Sequence, residues 1–213
     1  MKKVIVLSLM VLFTLSMMSA CMGNGFGNSG NGNNADNDSP KAIKDIIPAS
    51  DLISLEESMV IMEEQMKIDE YGPISMAFTD GIRYYSDNNT LKVELAQEAL
   101  ADMDNRIAQN TLRDGWSAYL EKEQNRIINL LETEHEEYFV IEVNGIGEAA
   151  YFYDYKPSEY WALHVFYGEY YFVVSTSKSV QADPASESVR KWYQDKTIEA
   201  GTLALDNLKK IIG

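Results

Sequence analysis

At 213 residues with 46% apolar side chains, the chain is long enough to bury a core; its 33 acidic against 18 basic residues give a formal charge of −15. So acidic a balance disfavours non-specific binding to nucleic acid or to bare anionic lipid, both of which carry the same sign. The single cysteine excludes an intrachain disulfide, so apolar burial must hold the fold.

The first twenty residues read as a leader rather than as part of the fold. Lys2 and Lys3 form a basic start, Val4 to Met18 is almost wholly apolar, and Ser19-Ala20 places small residues before Cys21. This is the layout of a secretory signal peptide, and the apolar run is short for a stable membrane span of about 20 residues. Met18-Ser-Ala-Cys21 resembles a bacterial lipobox, with methionine where leucine is more usual. That resemblance implies cleavage before Cys21 and acylation of the new terminus, with membrane lipid as the partner of the acylated Cys21. Two or three acyl chains hold a protein firmly where one does not. Lys2 and Lys3 leave with the leader, so the mature charge becomes −17. The expected location is the outer side of the cytoplasmic membrane. Residues 21–40 follow as lipidated cysteine and tether: Gly, Asn, Ser and Asp dominate them, and a flexible stretch of this length spans about 25 Å.

A single extracytoplasmic domain is expected over 41–213. Ser54-Leu-Glu-Glu57 is a capping-box pattern, opening a helix to about Met66 with Leu55, Met59, Met62 and Met66 as one core stripe. Ile74 to Phe78 reads as a short strand. Gly81–Ser86 and Thr90–Leu95 read as a hairpin around Asp87-Asn88-Asn89, with Leu91, Val93 and Leu95 inward and Lys92 and Glu94 in water. Glu98 to about Leu131 is expected to be helical, broken at Gly115, with Trp116 and Tyr119 anchoring it to a sheet.

The acidic run Glu132–Glu137 reads as a solvated loop. His135 lies between Glu134 and Glu136, whose side chains would diverge on a strand, so the three do not converge on a metal. Tyr138–Val143 and Glu148–Tyr155 are strands joined by Asn144-Gly-Ile-Gly147, with Tyr151, Tyr153 and Tyr155 on one face. Tyr160–Tyr167 and Tyr170–Thr176 are two further strands, rich in aromatic and β-branched residues and joined at Gly168-Glu169. His164 shares a face with Tyr160, Ala162 and Phe166, and a satisfied, partly buried histidine is the expectation there. Asp183-Pro184 is expected to open the last helix, with Val189, Tyr193, Thr197, Ala200, Ala204, Leu208 and Ile211 as its stripe.

The order implies an α+β fold, a largely antiparallel β-sheet with helices packed on one face. The other face would then present Tyr151, Tyr153, Tyr155, Tyr160 and His164 as a contact surface for an envelope protein, peptide or glycan. Three segments carry a family resemblance: Ile46–Glu57 (IIPASDLISLEE), Asn144–Phe152 (NGIGEAAYF) and Leu163–Ser175 (LHVFYGEYYFVVS). They resemble LpqN-like bacterial surface lipoproteins, although the domain lacks the cysteines of many secreted relatives. The resemblance implies a PsbP-like α/β/α sandwich, in which part of the long middle helix covers the second sheet face.

The sequence carries no GxSxG, no HExxH and no third glycine after Gly145 and Gly147, so it assigns no catalytic, cofactor or metal residue. A non-enzymatic binding or accessory domain is the leading expectation. An envelope-associated hydrolase and a self-assembling structural protein, such as a homodimer, stand as the alternatives.

Overall fold

The computed structural model describes residues 46–69, 78–98, 114–133, 135–179 and 185–213. Two antiparallel meanders make the sheet. The first holds β1 (Lys67–Ile68), β2 (Asp80–Tyr85) and β3 (Asn89–Ala96); the second holds β4 (Tyr138–Glu142), β5 (Ala149–Tyr155), β6 (Tyr160–Tyr167) and β7 (Tyr170–Lys178). They join through β3 and β7, giving a seven-stranded sheet ordered β1-β2-β3-β7-β6-β5-β4. The β3–β7 register runs unbroken from Asn89 opposite Lys178 to Ala96 opposite Tyr171. The strongest strand formers in the chain thus occupy the centre, where both faces are covered.

Helices lie on both faces of the sheet, not on one. On the first face sit α1 (Ala49–Leu52), α2 (Leu55–Met62) and the long C-terminal α4 (Glu187–Ile212); on the second sits α3 (Trp116–Leu131). The one-sided expectation fails because α3 carries its own apolar stripe. Trp116, Tyr119 and Ile127 are buried against Val140, Tyr151, Phe166, Tyr171 and Val173. The same coverage corrects the reading of β3. Leu91, Val93 and Leu95 face the first core as expected, but Glu94 is buried too, 2.6 Å from Lys92, because β3 is interior to the sheet.

Local chemistry explains the helix ends. Ser54 Oγ accepts from Glu57 N at 3.2 Å while Ser54 N donates to Glu57 Oε2 at 2.7 Å, a complete capping box. The helix stops at Met62 rather than Met66, because Glu63 takes a left-handed backbone (φ 59°); Met66 is still buried. Gly115 (φ 94°) starts α3, and Trp116 Nε1 donates to the Glu169 carbonyl at 2.9 Å, pinning the helix start to the β6–β7 turn. The expected residues 98–114 of that helix lie largely outside the described residues, as do the expected strand at 74–78 (except Phe78), the leader and the tether. Ser186, not Asp183, caps α4, its side chain accepting from Val189 N. Asp183 and Pro184 lie outside the described residues.

α4 is held to the sheet by a run of small residues. Thr197, Ala200, Gly201 and Ala204 are all buried, and a Cβ on Gly201 would stand 2.3 Å from Leu163 Cδ2. The helix therefore sits closer to β6 than a stripe of leucines would allow. Thr176 and Thr197 share a hydroxyl contact of 2.6 Å, so the buried polar pair satisfies itself. Trp161 stacks on Tyr193 with centroids 4.1 Å apart and planes 4° from parallel. Among the described residues Trp161 Nε1 has no hydrogen-bond partner, a cost of about 1–3 kcal/mol. Burial decides the balance: roughly 200 Å² of ring surface at about 25 cal/mol per Å² returns ~5 kcal/mol. At the other end of α4, Asn207 Nδ2 donates to the Leu52 carbonyl (3.1 Å) and to Glu57 Oε1 (3.2 Å), tying α4 to α1 and α2.

All described residues belong to one compact unit, Ala42–Gly213, which has a core on each side of its sheet, as independent folding requires. Among the described residues no helix is long and apolar enough to cross a membrane.

The β4–β5 turn supplies a stability test. Gly147 has φ 64°, and a Cβ there would meet the Phe166 carbonyl oxygen at 2.5 Å; Gly145 has φ 86° but open space around it. Gly147→Ala is expected to lose about 2–4 kcal/mol, because backbone strain and a clash with fixed backbone add, and Gly145→Ala only about 1 kcal/mol. Urea titrations of both variants, which should show the larger loss at Gly147, check this.

Candidate functional site

The face beneath α3 is where the expected contact residues lie. Cross-strand registers place Glu142, Tyr151, His164, Val173 and Glu94 in one row and Tyr138, Tyr155, Tyr160 and Ser177 in another. Tyr151 is 5% exposed, covered by α3, and its hydroxyl lies 3.4 Å from Gln124 Nε2. Tyr153, Tyr155, Tyr160 and His164 are half-buried. The structure thus brings the five residues to one sheet face, as the strand period requires, but roofs the centre of that face with a helix. Tyr153 and Tyr155 stack at 6.3 Å, Tyr138 stands 5.9 Å from Tyr153, and the exposed His135 stacks on Tyr138 at 4.5 Å. Aromatic rows of this kind stabilise a sheet by themselves. Cys21 lies outside the described residues.

His164 Nδ1 stands 2.7 Å from the Tyr171 hydroxyl. Burial, and then the positive charge of Arg126, push the His164 imidazole down to about 3; burial also holds the Tyr171 phenol well above its usual range. Arg126 is itself tied to Glu123, with Nε to Oε2 at 3.0 Å. At neutral pH a neutral imidazole therefore meets a neutral phenol. A general base works best with a pKa near the operating pH, and this imidazole is held several units below it. The pair's chemistry is that of a partly buried bridge between β6 and β7. Arg126, Glu123 and Gln124 complete this network from α3, and no sequence spacing could have linked them to Tyr171 or Tyr151.

A second site was not foreseen. Between α2 and α4 runs a groove of about 530 Å³ lined by Glu56, Glu57, Val60, Ile61, Glu199, Thr202, Leu203 and Asp206. Val60 is 73% exposed, on a helix whose other face is in the core. A neighbouring hollow of about 480 Å³ shares Glu57 and continues to Ser50, Asp51, Asn207, Lys210 and Ile211. Burial raises the Glu57 carboxyl, but hydrogen bonds from Ser54 and Asn207 outweigh it, and the group lies below its usual pKa. It is charged at neutral pH. Lys196 reaches Glu63 at 2.6 Å and Glu199 at 3.3 Å, so it offsets part of one wall.

One sequence signal marks this groove. Val60 stands one residue outside the Leu55–Met59–Met62 stripe, and Leu203 one residue outside the Ala200–Ala204–Leu208 stripe. Each is an apolar residue about 100° around its helix from the stripe. The two positions face the same groove.

Among the described residues, no group of three His, Cys, Asp or Glu side chains is placed to hold a metal ion. The Asp87-Asn88-Asn89 turn is held by protein groups: the Glu64 carboxylate accepts from Ser86 Oγ, Asn88 Nδ2 and Asn89 Nδ2. Comparison with protein-family models, with curated proteins and with solved structures finds no match to this chain.

The low pKa of His164 has a consequence for stability. The unfolded chain protonates a histidine near 6.5, the folded one only near 3, so between those values the unfolded state binds the extra proton. The His164 contribution is complete above pH 6.5 and is lost as pH falls toward 3. His164→Gln should reduce the acid-side slope of stability by up to about 1 kcal/mol per pH unit. Urea denaturation of both proteins at pH 7 and pH 5 measures it; equal slopes would contradict the buried neutral imidazole.

Proposed function

We propose that this chain is a lipid-anchored extracytoplasmic domain that binds a partner in the cell envelope and carries out no chemistry of its own. The observation that carries the binding reading is the open groove between α2 and α4, whose apolar lining includes Val60 at 73% exposure. An apolar side chain standing singly in water is ordinary, but one that lines a groove on a surface this acidic offers a place to dock. A protein or peptide is the partner class this groove favours. The sheet tyrosines Tyr153, Tyr155 and Tyr160 are half-buried and make a secondary contact surface, for a glycan or peptide.

Anchoring rests on the leader: Lys2-Lys3, the apolar Val4–Met18, the lipobox-like Met18–Cys21 and a Gly/Asn tether from 22 to 40. Acylation of Cys21 would hold the domain to the cytoplasmic membrane, facing outward, with the tether lifting it clear of the headgroups. The likeness to LpqN-like lipoproteins, and with it a PsbP-like α/β/α sandwich, belongs to the same proposal. Helices on both faces of a largely antiparallel sheet support it.

Two measurements test this function. In cells given radiolabelled palmitate, the wild-type chain should carry label and sediment with membranes, and Cys21→Ala should lose both. A wild-type chain that is unlabelled and soluble would end the anchoring proposal. Photoreactive groups on the domain, used on intact cells of its own organism, should trap one dominant partner that free domain 42–213 competes away. Capture of itself alone would favour self-assembly instead, and no capture would remove the binding reading.

A further inference from the structure

Resting on that binding reading, we propose that the α2–α4 groove is the docking site for a cationic amphipathic helix of a protein partner. Its lining is largely apolar, with Val60, Ile61 and Leu203 in it, and Glu56, Glu57, Glu199 and Asp206 border it. With the adjoining hollow, the lining carries five carboxylates and a single ammonium, Lys210. Lys196 partly offsets Glu199 from outside, but among the described residues no ion pair joins Glu56 or Asp206.

Charge selects the occupant. A second copy of this chain would bring a formal −15 and an equally acidic groove, and an anionic membrane would bring the same sign. A partner with apolar groups along one stripe and Lys or Arg beside it satisfies both the apolar lining and the bordering carboxylates.

Shape selects a helix. The walls are two helix surfaces. Glu56 and Val60 stand one turn apart on α2, and Glu199, Thr202, Leu203 and Asp206 follow the i, i+3, i+4, i+7 rule on α4. Ridges from a third helix fit such a groove. From Glu199 to Asp206, α4 advances about 10 Å at 1.5 Å per residue, so the groove itself takes about two turns of a docked helix, and the adjoining hollow extends this to about three. Lys210 lies toward the Ile211 end, so the basic stripe of the partner sits over Glu199–Asp206. The surroundings are firm: Asn207 bridges α4 to Leu52 and Glu57, so the site is formed before anything binds.

The test uses domain 42–213, ¹⁵N-labelled, with a fluorescent leucine/lysine peptide of about four turns whose leucines follow i, i+3, i+4, i+7. A scrambled isomer of the same composition and an analogue with Glu for Lys serve as competitors. The patterned peptide should shift amides of residues 56–61 and 199–206, and bind at least about tenfold tighter than either competitor. Val60→Gln, at an exposed helical position, should weaken it about tenfold, which is about 1.4 kcal/mol. Glu56→Gln with Asp206→Asn should weaken it and flatten its salt dependence, since those charges are the ones screened. Equal affinity for the scrambled isomer, shifts spread over the whole acidic surface, or unchanged binding in both variants would overturn the groove assignment. Should the peptide fail while cells yield a partner crosslinked elsewhere on the domain, the groove inference falls and the binding function stands. Failure of both removes both.

Discussion

The pairing of β3 with β7 is the constraint on which the rest depends. It joins residues some eighty positions apart, from Asn89–Lys178 to Ala96–Tyr171. Without it the chain would be two small meanders, each with a bare interior edge and half a core. With it, Leu91, Val93 and Leu95 line up beside Thr176, Val174 and Phe172, then beside Trp161, Leu163 and Val165 of β6. Closing so long a loop costs entropy that only contacts on both sheet faces can offset. That is why both faces are roofed, and why even Glu94 is buried, paired with a half-buried Lys92.

Each roof is attached by a different physical device. On the first face α4 comes in close because Gly201 presents no side chain to Leu163 and its buried neighbours Ala200 and Ala204 present little to the core. On the second face α3 stands on large aromatics. Trp116 and Tyr119 stack at 5.3 Å, and the Trp116 indole donates to the β6–β7 turn. Large residues hold a helix away from the sheet and leave room for polar groups between. That room holds the His164–Tyr171 bridge and the Gln124–Tyr151 contact. The close roof has polar contacts too, but they stand along α4 rather than in one cluster: Arg190 pairs with Asp154, the Tyr193 hydroxyl donates to Asn89, Thr197 meets Thr176, and Asn207 closes the far end. Pressed tightly to the sheet, α4 leaves its other flank to α2, and the groove forms where two rounded surfaces meet above the core.

Strand positions were legible because their signals are local. Period-two alternation, the Asn-Gly-Ile-Gly turn and Gly168-Glu169 need no knowledge of distant residues. The capping box at Ser54 was legible for the same reason, and so was Gly115 as a helix boundary. The extent of α2 was misread because Met66 continues the apolar stripe, while the left-handed Glu63 that ends the helix leaves no mark in composition. The sidedness of the sheet was misread because tyrosine alternates equally well in a solvated face and in a covered one. The groove went unseen because its two telltale residues, Val60 and Leu203, are almost 150 positions apart.

By itself the sequence determined the antiparallel α+β class, strands β2 to β7 to within two residues, the tight turns and most of the helical stripes, since each follows from periodicity or backbone preference within a few residues; it missed the two-residue β1, and Ile211, expected in the last stripe, is exposed. Tertiary structure alone decided that β3 meets β7, that α3 shields Tyr151 and that Arg126 lies against the His164–Tyr171 pair. It also decided that the off-stripe faces of α2 and α4 form one acidic-walled groove. The reason is the same in each case: these are contacts between surfaces far apart in the chain, selected by which layers can close around a common core.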